Sequence, residues 1–178
     1  MATYKTNELV IDQTFDPKHC RHIVNGVQQV FHCQHYLTLF TQLADDLTML
    51  DGGQLMTDVA EDTFRLMLGE YYAAHPLKTI DEKIGIAVQM YAACGLGKMK
   101  VLFLGPDSGE IELTTSYIDL TWKQKWGTYD KPVNFVTRGF IAALFSFINQ
   151  LPPRSVDVKE TESMLSGAQA SRFYVVVK

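Results

Sequence analysis

The segment from Phe135 to Ile148 constrains this chain more than any other. Its fourteen residues, Phe-Val-Thr-Arg-Gly-Phe-Ile-Ala-Ala-Leu-Phe-Ser-Phe-Ile, carry one charge, on Arg138. A helix this apolar must be surrounded by other elements, because a surface helix keeps a polar face for water. It is too short to span a bilayer, which takes about 20 apolar residues, and Leu151-Pro152-Pro153 stops it. Beyond the prolines, Val156-Asp157-Val158-Lys159-Glu160 alternates as a half-buried strand does. A small-residue loop and a second strand, Arg172 to Val177, follow. The last third therefore reads as a buried helix, a strand, a loop and a closing strand. Alternation places Glu160 and Glu162 on the same inward face as Val156 and Val158, where a carboxylate needs a partner.

The rest of the chain supplies what that helix packs against. Leu9-Val10-Ile11 reads as a short strand. Arg21 to Phe31 reads as a hairpin, since Asn25-Gly26 supplies the two positive-φ residues of a type I′ turn. Tyr36, Phe40, Leu43 and Leu47 then recur at helical spacing until Asp51-Gly52-Gly53. A second helix runs from about Leu55 to Ala74, with Met56, Val59, Ala60, Phe64, Met67, Leu68 and Tyr71 on its apolar face, and His75-Pro76 stops it. Thr79-Ile80-Asp81-Glu82 is a capping box opening a third helix, with Gly95 as its C-terminal stop. Met99–Leu104 and Glu110–Thr114 read as strands joined by a turn. Trp122 and Trp126 share a face if their segment is helical. Strands grouped beside several helices, without βαβ alternation, give an α+β fold with an antiparallel sheet, expected to form one domain over residues 1–178.

Composition narrows the function. Hydrophobic residues make up 47% and charged residues 20%, which supports a sizeable core. A net charge of −4 gives no footprint for nucleic acid or an anionic membrane. The first eight residues lack an apolar signal core, and three cysteines form no disulfide framework. The expectation is a cytoplasmic protein.

Several motifs carry chemistry. Gly95-Leu96-Gly97-Lys98 is not a phosphate loop, because a helix ends there and a strand begins, the reverse of the order that aims backbone amides at an anion. His19-Cys20-Arg21-His22 and His32-Cys33-Gln34-His35 flank the Asn25-Gly26 turn. With Val24 opposite Val27, His22 faces Gln29, and extending the ladder brings Cys20 to Phe31 and His19 to His32. Imidazole and thiolate suit zinc, copper or iron, although alternation lets at most two or three of these residues converge. Glu61 can pair with Arg65 one helical turn away as a solvated pair. Arg138 either reaches solvent along its stem or anchors a polar ligand group. Cys94 reads as a small buried hydrophobe.

Gly139-Phe140, Glu160, Gly167, and Trp122 twelve residues before Asn134 resemble the pattern of the 4-vinyl reductase-type small-molecule-binding domain. That family includes the sensor domains of aromatic-responsive transcription activators. Asn134, Ser163 and Ser171 fall where such sensors carry three zinc-binding cysteines, so only Glu160 of the zinc site is retained. Asn and Ser are poor zinc ligands beside thiolate, and no zinc is expected there. Ser163 and Ser171 are expected to tie the loop to the strands, and Asn134 to cap the helix. The resemblance implies helices against an antiparallel sheet, homodimerisation, and an apolar pocket lined by Tyr36, Phe40, Phe64, Trp122, Trp126, Arg138 and Phe140. The vesicle-tethering subunits are distantly similar. The chain thus reads as a stand-alone sensor for a hydrophobic or aromatic small molecule, and not as an enzyme. The alternative is a metal- or haem-binding enzyme or accessory using His19, Cys20, His22, His32, Cys33 and His35.

Overall fold

A computed structural model describes residues 8–178; Met1–Asn7, the bulk of the stretch expected to lack a signal core, lie outside them. Five helices and seven strands follow in the order β1 (Gln13–Asp16), β2 (Arg21–Val24), β3 (Val27–Gln29), α1 (Gln34–Asp46), α2 (Gly52–Ala74), α3 (Ile80–Ala93), β4 (Gly97–Leu104), β5 (Ser108–Ser116), α4 (Tyr117–Trp126), α5 (Phe135–Ile148), β6 (Val156–Glu162) and β7 (Ser171–Val177). Strands β1-β2-β3 form one small sheet and β4-β5-β7-β6 a second, both antiparallel. The fold is α+β.

Helix α5 is central. Phe140, Ala143, Leu144 and Phe145 are essentially inaccessible to water. One side of α5 packs against the larger sheet and another against α2. On the sheet, Ile111 opposite Phe173 and Val158 opposite Val175 present the inward row that α5 covers. The approach of α2 and α5 is set at Gly139: a Cβ there would stand 2.4 Å from the Thr57 carbonyl oxygen and 2.5 Å from Ala60 Cβ. Only glycine lets the two backbones come this near.

Local rules hold where local chemistry decides. Asn25 and Gly26 have φ of 48° and 82°, and Val24 pairs with Val27 and His22 with Gln29. Thr79 and Glu82 form the capping box. Three expectations need correction. Leu9-Val10-Ile11 forms no strand; β1 starts at Gln13, and Leu9 and Val10 instead donate their amides to Gln89 Oε1 and Tyr71 Oη, at 2.9 and 3.0 Å. The hairpin ladder stops at Gln29, and Cys20 lies in the preceding turn with φ of 52°, so Cys20–Phe31 and His19–His32 are not cross-strand pairs. A register shift between Glu160 and Glu162 leaves Glu160 buried and turns Glu162 to solvent.

Candidate functional site

Glu160 lies at the centre of a closed polar cluster. It is 7% exposed and Asp119, from α4, is 2% exposed. The Asn134 side-chain amide bridges them, its Nδ2 donating to Asp119 at 3.0 and 3.1 Å and to Glu160 Oε1 at 2.9 Å. Ser116 Oγ donates to Asn134 Oδ1 at 3.0 Å and accepts from the Asp119 amide at 3.1 Å. Ser171 Oγ donates to Asp119 Oδ2 at 3.2 Å and accepts from the Met164 amide at 2.9 Å, while Ser163 Oγ accepts from the Leu165 amide at 3.2 Å. The serines thus fasten the loop after β6 to its surroundings. Asn134 occupies the position before α5, but its side chain makes no capping bond: its Oδ1, the atom that would accept one, takes the Ser116 hydroxyl, and its Nδ2 is held by the two carboxylates.

Burial pushes the Glu160 carboxyl up to about 7, with the nearby Asp119 charge adding to the effect. Burial also raises Asp119, against hydrogen bonds from Asn134, Ser116 and Ser171 and the positive charge of Lys123. Two buried acids on one amide each favour the protonated form more than a free carboxyl does. As a donor set, two carboxylates, an amide and hydroxyls do not suit zinc, which prefers thiolate and imidazole. The carboxylate oxygens are also already taken by N–H and O–H donors. Asp119 escaped the sequence reading; its signal was the Ser116-x-x-Asp119 spacing of a helix start.

The His/Cys hairpin is not gathered either. His19 Nδ1 bonds Asp16 Oδ2 at 2.7 Å. His22 lies between the Phe15 and Phe31 rings, at 4.8 and 4.7 Å, with its Nδ1 buried and unpartnered. His32 stacks on Tyr36, whereas Cys20, Cys33 and His35 are exposed. Among the described residues, no three His, Cys, Asp or Glu side chains are placed to hold a metal ion.

The seven residues expected around an apolar pocket divide between core and surface. Phe64 and Phe140 pack edge to face, with ring centroids 5.0 Å apart, and fill the α2–α5 interface. Trp122 is buried against Trp126 and Tyr129. Tyr36 and Phe40 form an edge-to-face pair on the outer side of α1, each about half exposed. Arg138 donates to the Val158 carbonyl at 2.9 Å and to Gln54 Oε1 at 3.3 Å, which joins α5 to β6 and α2.

An apolar cleft lies elsewhere, between the N-terminal sheet and the α2–α3 pair. Its inner lobe, about 200 Å³, is walled by Leu9, Val27, Met67, Tyr71 and Met90. An outer lobe of about 410 Å³ continues past Val24, Phe31, Ala93 and Cys94, which line both. Cys94 therefore stands at an exposed mouth and not in the core. None of Tyr36, Phe40, Phe64, Trp122, Trp126, Arg138 or Phe140 lines either lobe. The sequence could not show this cleft, because it forms where the N-terminal sheet, α2 and α3 meet in space, far apart along the chain.

Among the described residues, no helix is long and apolar enough to cross a membrane. No protein-family model matches the sequence, and no curated protein matches it significantly. Solved structures do. The phenol-responsive sensory domain of the transcription activator PoxR superposes with a TM-score of 0.74 at 14% identity, covering 93% of this chain and 84% of that one. Subunit 3 of a trafficking protein particle complex from Naegleria fowleri, solved covalently bound to palmitic acid, gives a TM-score of 0.52 at 12% identity, over 81% of this chain and 91% of that one. At such identities the likeness is one of fold: this chain has the architecture shared by a small-molecule sensory domain and a trafficking subunit.

Proposed function

We propose that this protein is a small-molecule sensor that takes an apolar ligand into the cleft beneath its N-terminal sheet. The observation that carries this reading is the cleft itself: its inner lobe is lined largely by aliphatic side chains and exceeds the roughly 150 Å³ of an apolar cavity that accepts benzene. The fold shared with a phenol-responsive domain supports a binding role over an enzymatic one. The protein works inside the cell, where its three cysteines stay reduced. It acts as a homodimer, using the apolar corner where Leu43 of α1 and Leu47 just past its end meet Met49 and Leu50; Met49 is 98% exposed.

Binding is the test. Titrating the purified protein with phenol, naphthalene and medium-chain alcohols by calorimetry should give saturable binding of at least one. Ala93→Trp, which places a large ring in the exposed wall shared by both lobes, should abolish it. Absence of binding across the panel, or binding indifferent to Ala93→Trp, refutes the assignment.

A further inference from the structure

The cleft also carries information about what it selects, given the reading just proposed. Its polar groups are unevenly divided. In the inner lobe, Tyr71 Oη accepts from the Val10 amide, and the Asn25 side chain is spent on the Asp12 amide and the Val10 carbonyl. What remains is the donor of the Tyr71 hydroxyl, with Glu70 and Gln13 at the exposed rim. In the outer lobe, Gln29, His32 and Tyr117 line the wall, and their side chains make no hydrogen bond to another described residue. Their donors and acceptors are uncommitted along that wall.

Charge is the second observation. Neither lobe is lined by Lys or Arg, and the carboxylate on the walls is Glu70. A carboxylate or phosphate entering the cleft would leave water without a cation to meet it, and an ammonium head in the outer lobe would find no carboxylate there, since Glu70 lines the inner one. Size is the third. A single ring fits the inner lobe alone, yet that lobe opens into the larger one at Val24 and Phe31.

We propose that the cleft selects an uncharged, elongated amphiphile, with its apolar body in the inner lobe and a hydroxyl or carbonyl head among Gln29, His32 and Tyr117. Each methylene added to such a ligand should tighten binding roughly fourfold while the inner lobe fills. A head group able both to donate and to accept is served by the amide of Gln29, the imidazole of His32 and the phenol of Tyr117.

A titration series with phenol, 1-hexanol, 1-decanol, decanoate and decylamine at pH 8 tests the proposal. The expected order places 1-decanol first, well over tenfold tighter than 1-hexanol and at least tenfold tighter than decanoate or decylamine. Tyr117→Phe and His32→Ala should each weaken 1-decanol several-fold and leave the gain per methylene intact, which a merely structural defect would not do. Equal or tighter binding of decanoate or decylamine overturns the proposal. So does phenol binding with no gain from chain length. Either result leaves the cleft standing as a ligand site, whereas failure of every probe removes the sensor assignment itself.

Discussion

Replacing Glu160 by glutamine should flatten the acid-to-neutral stability profile of this protein. Glu160 is buried on the inward face of β6, shares the Asn134 amide with Asp119, and has no cation within hydrogen-bonding reach among the described residues. Its carboxyl therefore rises from 4.5 to about 7. A group whose pKa is higher when folded than when unfolded binds more protons in the native state, so its contribution is full below the unfolded value. It is lost as pH climbs from 4.5 through 7. A rise of that size corresponds to about 3 kcal/mol at 1.36 kcal/mol per unit, most of it gone by neutrality. Glutamine keeps the shape and stays neutral at every pH. Urea unfolding at pH 5 and pH 8 should therefore show the wild type losing about 2–3 kcal/mol more than Glu160→Gln across that interval. The comparison of slopes cancels titrations common to both proteins and any constant cost of the substitution. Parallel profiles for the two proteins would refute the argument, because they would mean that Glu160 ionises as freely folded as unfolded.

Two further substitutions test the packing around the central helix. Gly139→Ala puts a Cβ against the Thr57 carbonyl and Ala60; overpacking of this kind costs about 1–3 kcal/mol, read as a lower urea midpoint with an unchanged slope. Arg154→Met takes the cation from Glu61, which is 2% exposed and bonded to the guanidinium at 2.8 Å, and leaves it only the backbone amide at residue 154. The loss should be about 3 kcal/mol, and adding Glu61→Gln should recover most of it, since the penalty is an unpaired buried charge.

How much of this was legible depends on the range over which the deciding chemistry acts. The Thr79–Glu82 box and the Asn25-Gly26 turn are settled within a few residues, and both were readable, together with the Val24–Val27 and His22–Gln29 pairs that the turn fixes. The buried character of α5 was readable from composition alone. Glu61 shows the opposite case. Arg65, the partner suggested by helical spacing, donates instead to Ser146 Oγ and the Leu151 carbonyl, while Arg154, 93 residues away, takes Glu61. Nothing local marks Arg154. Asp45 likewise accepts from the hydroxyl of Tyr129, 84 residues away. The aromatic residues of α2 and α5 misled because an apolar face looks identical whether it meets a ligand or another helix. Phe64 and Phe140 meet each other.

The separation of the two sheets determines where ligand occupancy would be felt. The N-terminal sheet exchanges no strand pairing with β4-β5-β7-β6, and it is anchored through the bonds Leu9 and Val10 make to Gln89 and Tyr71. Lifting it breaks those bonds and leaves every rung of the larger ladder intact. The N-terminal sheet is therefore expected to open as a cover before the body that carries the larger sheet, with the cleft as the seam. A bound molecule spans that seam, so its free energy would be spent on the cover. Slower amide exchange across Arg21–Gln29, more than a raised global melting temperature, is the form in which this protein would register that it is full.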